Sequence, residues 1–331
     1  MTMTTTGTRH ILFVASDGLD ALEGDALLRR APHSRSVRVV CAGRDAFTPD
    51  TATEIRADTP AAAWDSLEAL PRPSLLVSVG NTPVALWASM WAAHRSVPVM
   101  HHHAGLRGGG PAPDKAGAAL DVTADLLSFI ARRDQGPARL SQAAARVVGW
   151  PALESWARLL PPPGEVGSGS SGCLALLGRT TPNEYGRTAK VLDACMHACR
   201  RFVVYASEDF RSTIVKVGVP LPDGFELRVP SGAEEVARGV AGCRMLVAND
   251  ERLQALSVAA KRYVVLVGPE PRIRWPAEQG CARWIDMSAP TAAADMTESW
   301  GRAGEPFDIS WGRSPSAEMM DWLKPFLGVA G

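Results

Sequence analysis

Short apolar runs alternate with amphipathic segments along the first half of the chain. The apolar runs are HILFVA (10–15), SVRVVCA (36–42), SLLVSVG (74–80) and VPVMHH (97–102), and the amphipathic segments between them are 19–30, 60–70 and 83–94. β-Branched runs of this length predict strands, and apolar positions at helical spacing predict helices. Their regular alternation predicts a parallel sheet with helices on both faces.

The second half repeats this pattern. Strands are predicted at CLALLG (173–178), RFVVYA (201–206), 226–229, RMLVAN (244–249) and YVVLVG (263–268), with helices over 185–200, 231–241 and 251–260. Near the end, Ser314 is a helix-capping residue and Pro315 suits a first helical turn, which predicts a final helix. The pattern as a whole predicts an α/β protein with two Rossmann-like halves.

The segment PPPGEVGSGSSG (161–172) separates these halves, because prolines stiffen the chain and a Gly/Ser tract cannot support a packed element. We therefore predict an N-terminal domain over 1–160, a linker over 161–172 and a C-terminal domain over 173–313. The final helix, 314–331, is expected to cross back to the N-terminal domain. Ligands of such sheets bind at the carboxyl ends of the strands, and the cleft between the domains is the expected site.

Charge and composition exclude several classes of function. The 331 residues contain 35 Lys and Arg against 35 Asp and Glu, so no positive field gathers a nucleic acid. No apolar run is long enough to span a bilayer, and the polar start MTMTTTGTRH lacks a secretory core. We expect a cytoplasmic protein without a membrane partner. Its six scattered cysteines are expected to be reduced.

Candidate chemistry is concentrated in residues 100–129, where a predicted strand ends in His101, His102 and His103 before a glycine-rich loop. Adjacent residues on a strand face opposite ways, which argues against a metal site shared by these histidines. We expect neither a metal nor a cofactor. In the loop, Arg107 offers a fork of donors to a carboxylate or phosphate.

The segment HHHAGLRGGGPAPDKAGAALDVTADLLSF (101–129) resembles the signature of the non-hydrolysing UDP-N-acetylglucosamine 2-epimerase family, H-x-E-A-G-L-R, then P-E-E-x-N-R, then D-x-x-S. Three further segments resemble that family in matching order: RVVGWPALESW (146–156), LALLGRTTPNEYGR (174–187) and RMLVANDERLQALSVAAKRYVVLVGPEPRIRWPAE (244–278). The resemblance implies a GT-B fold, in which two Rossmann-like domains with parallel sheets face each other across a cleft, and a homodimer.

The resemblance also shows where the family's acids have changed. Asn81 stands at the acid of the family's G-D-T turn, and an amide cannot take a proton. His103 replaces the glutamate of H-x-E, and Asp114 replaces the first glutamate of P-E-E. His103 and Asp114 are thus the candidate catalytic bases.

Binding positions follow from the same resemblance. Substrate contacts are expected from Asn81, His102, Arg107, Gly108, Gly109 and Trp150, and nucleotide or phosphate contacts from Gly18, Arg179, Asn249, Gln254, Arg272 and Arg274. Where the family has a serine and two glycines around the pyrophosphate, this chain has Asp250, Glu251 and Arg252, and the two carboxylates repel a diphosphate.

Three functions remain open on the sequence. The leading hypothesis is a GT-B glycosyltransferase that takes a nucleotide-sugar donor and a small-molecule acceptor. The second is a UDP-N-acetylglucosamine 2-epimerase, or a hydrolysing 2-epimerase, for an unusual nucleotide sugar. The third is a catalytically inactive GT-B protein that binds a ligand or activates a partner.

Overall fold

The computed structural model of the chain describes residues 9–33, 35–106, 115–136, 143–162, 172–177, 185–199, 202–206, 208, 211–212, 225–268, 270–303, 307, 309 and 313–329. The chain divides into two compact units. The first unit comprises Met1–Arg107, Ala112–Ser155 and Trp311–Gly331, and the second comprises Gly108–Pro111 and Trp156–Ser310.

The first unit contains a seven-stranded parallel sheet. Its strands are β1 (Ile11–Ala15), β2 (Val37–Cys41), β3 (Thr53–Glu54), β4 (Leu75–Val79), β5 (Val99–His102), β6 (Leu126–Phe129) and β7 (Ala144–Val147), in the order β3-β2-β1-β4-β5-β6-β7. The helices are α1 (Gly18–Arg30), α2 (Pro60–Glu68), α3 (Pro83–His94) and α4 (Lys115–Thr123), followed by α5 (Ala152–Leu159), which begins in this unit.

Local sequence explains where the first helices begin. Asp17, Thr59 and Thr82 precede α1, α2 and α3, and each side chain accepts a hydrogen bond from a backbone N–H of the first turn. Such caps satisfy donors that have no partner within the helix. Strands β1 and β4 are buried along their whole length, as expected for a sheet covered on both faces.

The second unit contains a six-stranded parallel sheet. Its strands are β8 (Cys173–Leu177), β9 (Phe202–Ala206), β10 (Phe225–Arg228), β11 (Met245–Ala248), β12 (Tyr263–Val267) and β13 (Ala282–Ile285), in the order β10-β9-β8-β11-β12-β13. The helices are α6 (Tyr185–Ala198), α7 (Ala233–Gly242), α8 (Gln254–Ala259), α9 (Trp275–Glu278) and α10 (Ala292–Arg302).

The last helix, α11 (Pro315–Leu327), belongs to the first unit. Ser314 caps it by accepting a hydrogen bond from the N–H of Ala317, as the sequence predicts. Met319, Met320 and Leu323 are buried in the same core cluster as residues of β1 and β4. The final helix thereby covers part of the first sheet.

The α/β class and the parallel sheets predicted from the sequence are confirmed. The apolar pattern of the sequence does not predict β3, β6, β7 or β13, which are at most four residues long. Strand β7 in particular is mostly exposed, so it carries little of the apolar signal that marks a strand. In the part of the chain that the structure describes, no helix is both long and apolar enough to cross a membrane.

Candidate functional site

Polar side chains gather where three neighbouring strands of the first sheet end. Ser16 follows β1, Thr82 follows β4, and His101 and His102 close β5. The hydroxyl oxygens of Ser16 and Thr82 lie 2.5 Å apart. Since β1, β4 and β5 are adjacent in the sheet, their carboxyl ends form one edge, which is where α/β proteins bind ligands.

The backbone turns sharply at His103. Strand β5 ends at His102, and His103 has a φ of 70°, in the left-handed region. The alternation expected of a strand therefore stops, and the rings of His102 and His103 lie with centroids 4.5 Å apart. The expectation that alternation separates these two histidines is wrong, because it assumed that the strand continues through His103.

A buried carboxylate from helix α1 holds both imidazoles. Glu23 Oε2 accepts a hydrogen bond from His102 Nε2 at 2.6 Å, and Glu23 Oε1 lies 2.9 Å from His103 Nε2. Trp150 Nε1 donates to Glu23 Oε1 at 3.1 Å. All four side chains are buried, so Glu23 is a charge removed from water and held by three N–H donors.

The protonation of this cluster follows from its surroundings. Burial by itself raises the pKa of the Glu23 carboxyl, but His103 and His102 outweigh burial and hold that pKa well below its usual range. Burial and the neighbouring His103 lower the pKa of His102. His102 is therefore neutral, with its proton on Nε2, and its Nδ1 accepts from the hydroxyl of Ser128 at 2.6 Å.

His101 forms a second buried pair, on the other side of the strand. Its Nε2 lies 3.0 Å from the carbonyl oxygen of Gly80, and its Nδ1 lies 2.6 Å from Asp121 Oδ1. A carbonyl only accepts, so Nε2 is the donor in the contact with Gly80. Asp121 Oδ2 also accepts from the N–H of Gly105 at 3.1 Å, which ties α4 to the turn after β5.

Asn81, at the position where the resemblance predicts a lost acid, is built into this edge. Its Nδ2 donates to the carbonyl of Leu106 at 2.7 Å. A Cβ at Gly117 would lie 2.4 Å from the Asn81 side chain, so only glycine allows α4 to approach this closely. Asn81 thus contributes an amide dipole to the site, without an acid for proton transfer.

Two predicted binding residues, Gly18 and Trp150, contact other residues of the first unit. The N–H of Gly18 donates to Asp45 Oδ2 at 3.3 Å, and a Cβ at Gly18 would lie 2.0 Å from Asp45 Oδ1. With Asp17 and Asp20 in the same turn, the start of α1 faces carboxylates, which repel a phosphate. Trp150 is fully buried with its indole N–H on Glu23, so in this structure its ring packs in the core instead of facing solvent.

Four of the predicted nucleotide positions lie at the carboxyl edge of the second sheet, after β11 and β12: Asn249, Gln254, Arg272 and Arg274. Asp250 caps a short 3-10 helix and pairs with Arg252, Nη2 to Oδ2, at 2.7 Å. Burial raises the pKa of Asp250, but the charge of Arg252 outweighs burial and lowers it. The carboxylate expected to repel a diphosphate is thus ionised and paired inside the loop.

Glu251, in the loop after β11, directs its carboxylate to the loop that follows β12. Its Oε2 accepts from the backbone N–H of Arg272 at 2.5 Å and of Ile273 at 3.0 Å, and its Oε1 accepts from Arg272 Nε at 2.6 Å. Two converging backbone N–H groups and a guanidinium are the donors that bind anions in proteins. Here the anion is the chain's own carboxylate.

The other predicted nucleotide residues are also placed at this edge. Arg274 pairs with Glu270. Gln254 is fully buried, and its Nε2 donates to the carbonyls of Glu251 and Ile273, both at 3.0 Å. Asn249 directly follows β11 and is partly buried. Five predicted residues, Arg107, Gly108, Gly109, Asp114 and Arg179, lie outside the described residues.

Three residues that no motif of the sequence singles out complete these arrangements: Glu23, Asp121 and Ser128. Glu23 and Asp121 are carboxylates on the buried sides of helices α1 and α4. Buried carboxylates are rare unless paired, so an acid at an apolar helical position was the available signal. That signal does not predict which histidine each carboxylate contacts.

Comparison with known proteins rests on structure. No family model and no curated protein matches the sequence. MnaA of S. aureus, in a co-structure with UDP, has a TM-score of 0.79 at 14% identity and covers 97% of this chain and 98% of its own. The UDP-GlcNAc 2-epimerase of Methanocaldococcus jannaschii, in complex with UDP-GlcNAc and UDP, has a TM-score of 0.76 at 11% identity, with coverages of 96% and 99%.

The chain has the fold of the UDP-GlcNAc 2-epimerases. The family resemblance noted in the sequence is thereby confirmed in fold, including its GT-B scaffold. The calicheamicin glycosyltransferase CalG4 is a more distant neighbour, with a TM-score of 0.50 at 15% identity, covering 97% of this chain and 98% of its own. The structures similar to this chain thus include epimerases and a glycosyltransferase.

Proposed function

We propose that the protein acts on a nucleotide-activated sugar, breaking the bond between the anomeric carbon and its phosphate oxygen and transferring the sugar to a small-molecule acceptor. The observation that supports this proposal is the pairing of His103 with the buried carboxylate of Glu23. It lies at the sheet edge where the family resemblance places a catalytic acid, and where Asn81 has replaced another.

The pair has the form of a general base. A carboxylate that accepts from one imidazole nitrogen fixes the ring and leaves the other nitrogen to take a proton. Glu23 accepts from His103 Nε2, and among the described residues no hydrogen bond engages His103 Nδ1. In the proposed step, Nδ1 takes the hydroxyl proton of the acceptor, the acceptor oxygen bonds to the anomeric carbon, and the nucleoside diphosphate leaves with the electron pair of the broken bond.

Transfer needs one base, whereas epimerisation at C2 needs proton transfer on the sugar itself. Asn81 cannot serve there because it is an amide. Asp114, outside the described residues, remains the second predicted base and Arg107 the predicted phosphate donor. Glu251 and Asp250 weaken the case for a diphosphate held by the β11 loop, so Arg107 gains weight in this proposal as the predicted phosphate contact.

The test is turnover of a panel of nucleotide sugars, with and without candidate acceptors, followed by mass spectrometry of the products. We expect product only when an acceptor is present, and a loss of about 10²–10⁴-fold in kcat for His103→Asn. His94→Asn, an exposed histidine at the end of α3, is the matched control. Equal rates for the wild type and His103→Asn would contradict the assignment of His103.

A 2-epimerase activity is the second candidate, favoured by the TM-score of 0.76 with the M. jannaschii enzyme. It differs from transfer in one measurable respect, since epimerisation exchanges the hydrogen at C2 with solvent. Turnover in D₂O without acceptor, with deuterium found at C2 of the recovered sugar, would replace the transferase proposal. Transfer without C2 deuterium would retain it. Size-exclusion chromatography with light scattering tests the homodimer that the resemblance implies.

A further inference from the structure

Three side chains with metal-binding atoms converge in the first unit. We propose that Glu23, His102 and His103 form a binding site for a divalent first-row transition-metal ion, with Zn²⁺ as the expected occupant. The three ligand atoms, one from each side chain, all lie within 4.8 Å of one another. This inference goes beyond the proposed function and does not depend on it.

The two distances from Glu23 to the histidines are close to those between the ligands of a bound ion. Ligand atoms about 2.0–2.1 Å from one ion, at the angles found in zinc sites, lie about 2.9–3.4 Å apart. Glu23 lies 2.6 Å from His102 Nε2 and 2.9 Å from His103 Nε2. A shift of a few tenths of an ångström brings the Glu23 contacts into this range, and the ligand atoms of His102 and His103 lie within 4.8 Å of each other.

The outer contacts are those that metal ligands use in proteins. Histidine ligands carry a hydrogen bond on their second nitrogen, and ligating carboxylates are hydrogen-bonded in turn. His102 Nδ1 lies 2.6 Å from Ser128 Oγ, and Trp150 Nε1 donates to Glu23 Oε1. When the ion takes His102 Nε2, the proton of the neutral ring moves to Nδ1 and is donated to Ser128.

Charge also favours a dication. Glu23 supplies one negative charge in a buried cluster whose other two ligands are imidazoles. Asp20, one turn earlier on α1 and also buried, is close enough for its charge to act on His102. The negative charges of Glu23 and Asp20 thus balance the two positive charges of the ion, which neutral imidazoles alone would not do.

The donor set selects the class of ion. Two imidazole nitrogens and one carboxylate suit Zn²⁺, Co²⁺ and related ions, whereas Mg²⁺ and Ca²⁺ prefer oxygen ligands only. A bound ion takes the electron pair of His103 Nε2 and leaves the ring proton on Nδ1. The loaded form would therefore lack the base proposed above, so metal binding and transfer belong to two states of one cluster.

The test uses the full chain, stripped with a chelator and titrated with Co²⁺, whose visible absorption reports its ligands. We expect one Co²⁺ per chain, displaced by Zn²⁺ but not by Mg²⁺, and a higher Tm with Zn²⁺ because the ion binds the folded state. His103→Asn and Glu23→Gln are each expected to weaken binding at least about tenfold. The control is His197→Asn, which removes an exposed histidine near two cysteines of the second unit and should leave binding unchanged.

Two results would overturn the site. One is a wild-type chain that takes up no Co²⁺ or Zn²⁺ at micromolar free concentration. The other is equal binding by the wild type and folded His103→Asn, which would place the ion elsewhere. If the buried variants fail to fold, Ser128→Ala is the milder change, with an expected loss of about tenfold in affinity, and unchanged affinity would count against the site. No nucleotide sugar is needed, so this test fails or succeeds apart from the transferase assay.

Discussion

The carboxylate of Glu251 accepts hydrogen bonds from both the backbone N–H and the Nε of Arg272, at 2.5 and 2.6 Å. The residue that should clamp a phosphate is thereby bound to an anion of the same chain. A ligand anion that takes the backbone N–H and the Nε of Arg272 has to displace Glu251 from these donors.

This pairing predicts a gain of binding. Glu251→Gln keeps the acceptor oxygen but removes the charge that repels a diphosphate, so we expect inorganic pyrophosphate to bind about tenfold more tightly, or by about 1.4 kcal/mol. Isothermal titration calorimetry of the variant against the wild type measures the difference. Glu298→Gln serves as the control, because it removes a carboxylate on α10 that pairs with Arg283 of β13. Equal affinities in all three chains would show that Glu251 does not guard an anion site.

The His101–Asp121 pair predicts a large effect on stability. Both side chains are at most 3% exposed, and Asp121→Ala would leave a buried imidazole and the N–H of Gly105 without their acceptor. We expect a loss of about 3–5 kcal/mol in the free energy of unfolding of the first unit. Urea denaturation of the full chain measures this loss. Asp65→Ala, an exposed acid on α2, should change that free energy by less than about 0.5 kcal/mol. A small loss of unfolding free energy in Asp121→Ala would mean that the His101–Asp121 pair contributes little to stability.

Acid is expected to destabilise the Glu23 cluster in two stages. The pKa of His102 is lowered from 6.5, so below about pH 6.5 the unfolded chain binds a proton that the folded chain does not, and stability falls. The pKa of Glu23 is lowered from 4.5, so stability falls further as the pH drops below that value.

Thermal unfolding across this pH range measures the effect. His102→Asn should flatten the slope of Tm between about pH 7 and pH 5, whatever its effect on Tm itself. Asp20, Glu23, His103 and Ser128 surround His102 and stay unchanged in that variant. An identical slope in wild type and variant would assign the pH dependence to other groups.

Glu154 is expected to hold the final helix. Its carboxylate accepts from Ser314 Oγ at 2.7 Å, from the N–H of Ser316 at 2.9 Å and from Ser316 Oγ at 2.5 Å, all at the start of α11. Removing acceptors from a helix N-terminus costs about 1–2 kcal/mol. We therefore expect faster hydrogen exchange across Pro315–Leu327 in Glu154→Ala. Asp321→Ala, which lies on the exposed side of the same helix, should leave that exchange unchanged.

The sequence predicts many of the residues that form the site, but it does not predict the contacts between them. The histidines at the end of β5 were predicted because a strand pattern ends there, and the fold places them on the carboxyl edge of the sheet. Their arrangement was not predicted, since it depends on the positive φ of His103. A non-glycine residue in this conformation is uncommon, so no sequence rule assigns it to one histidine among three.

The sequence by itself determined the two parallel sheets, because the alternation of β-branched runs and amphipathic segments is a local property of the chain. It also determined which chemical groups stand at the strand ends. Only the tertiary structure decided what those groups touch. Glu23 meets His102 and His103 across 79 and 80 residues of sequence. That meeting depends on the order β1-β4-β5, which brings α1 beside the end of β5. Strand order is set by burial and packing of the whole sheet, and no local pattern encodes it.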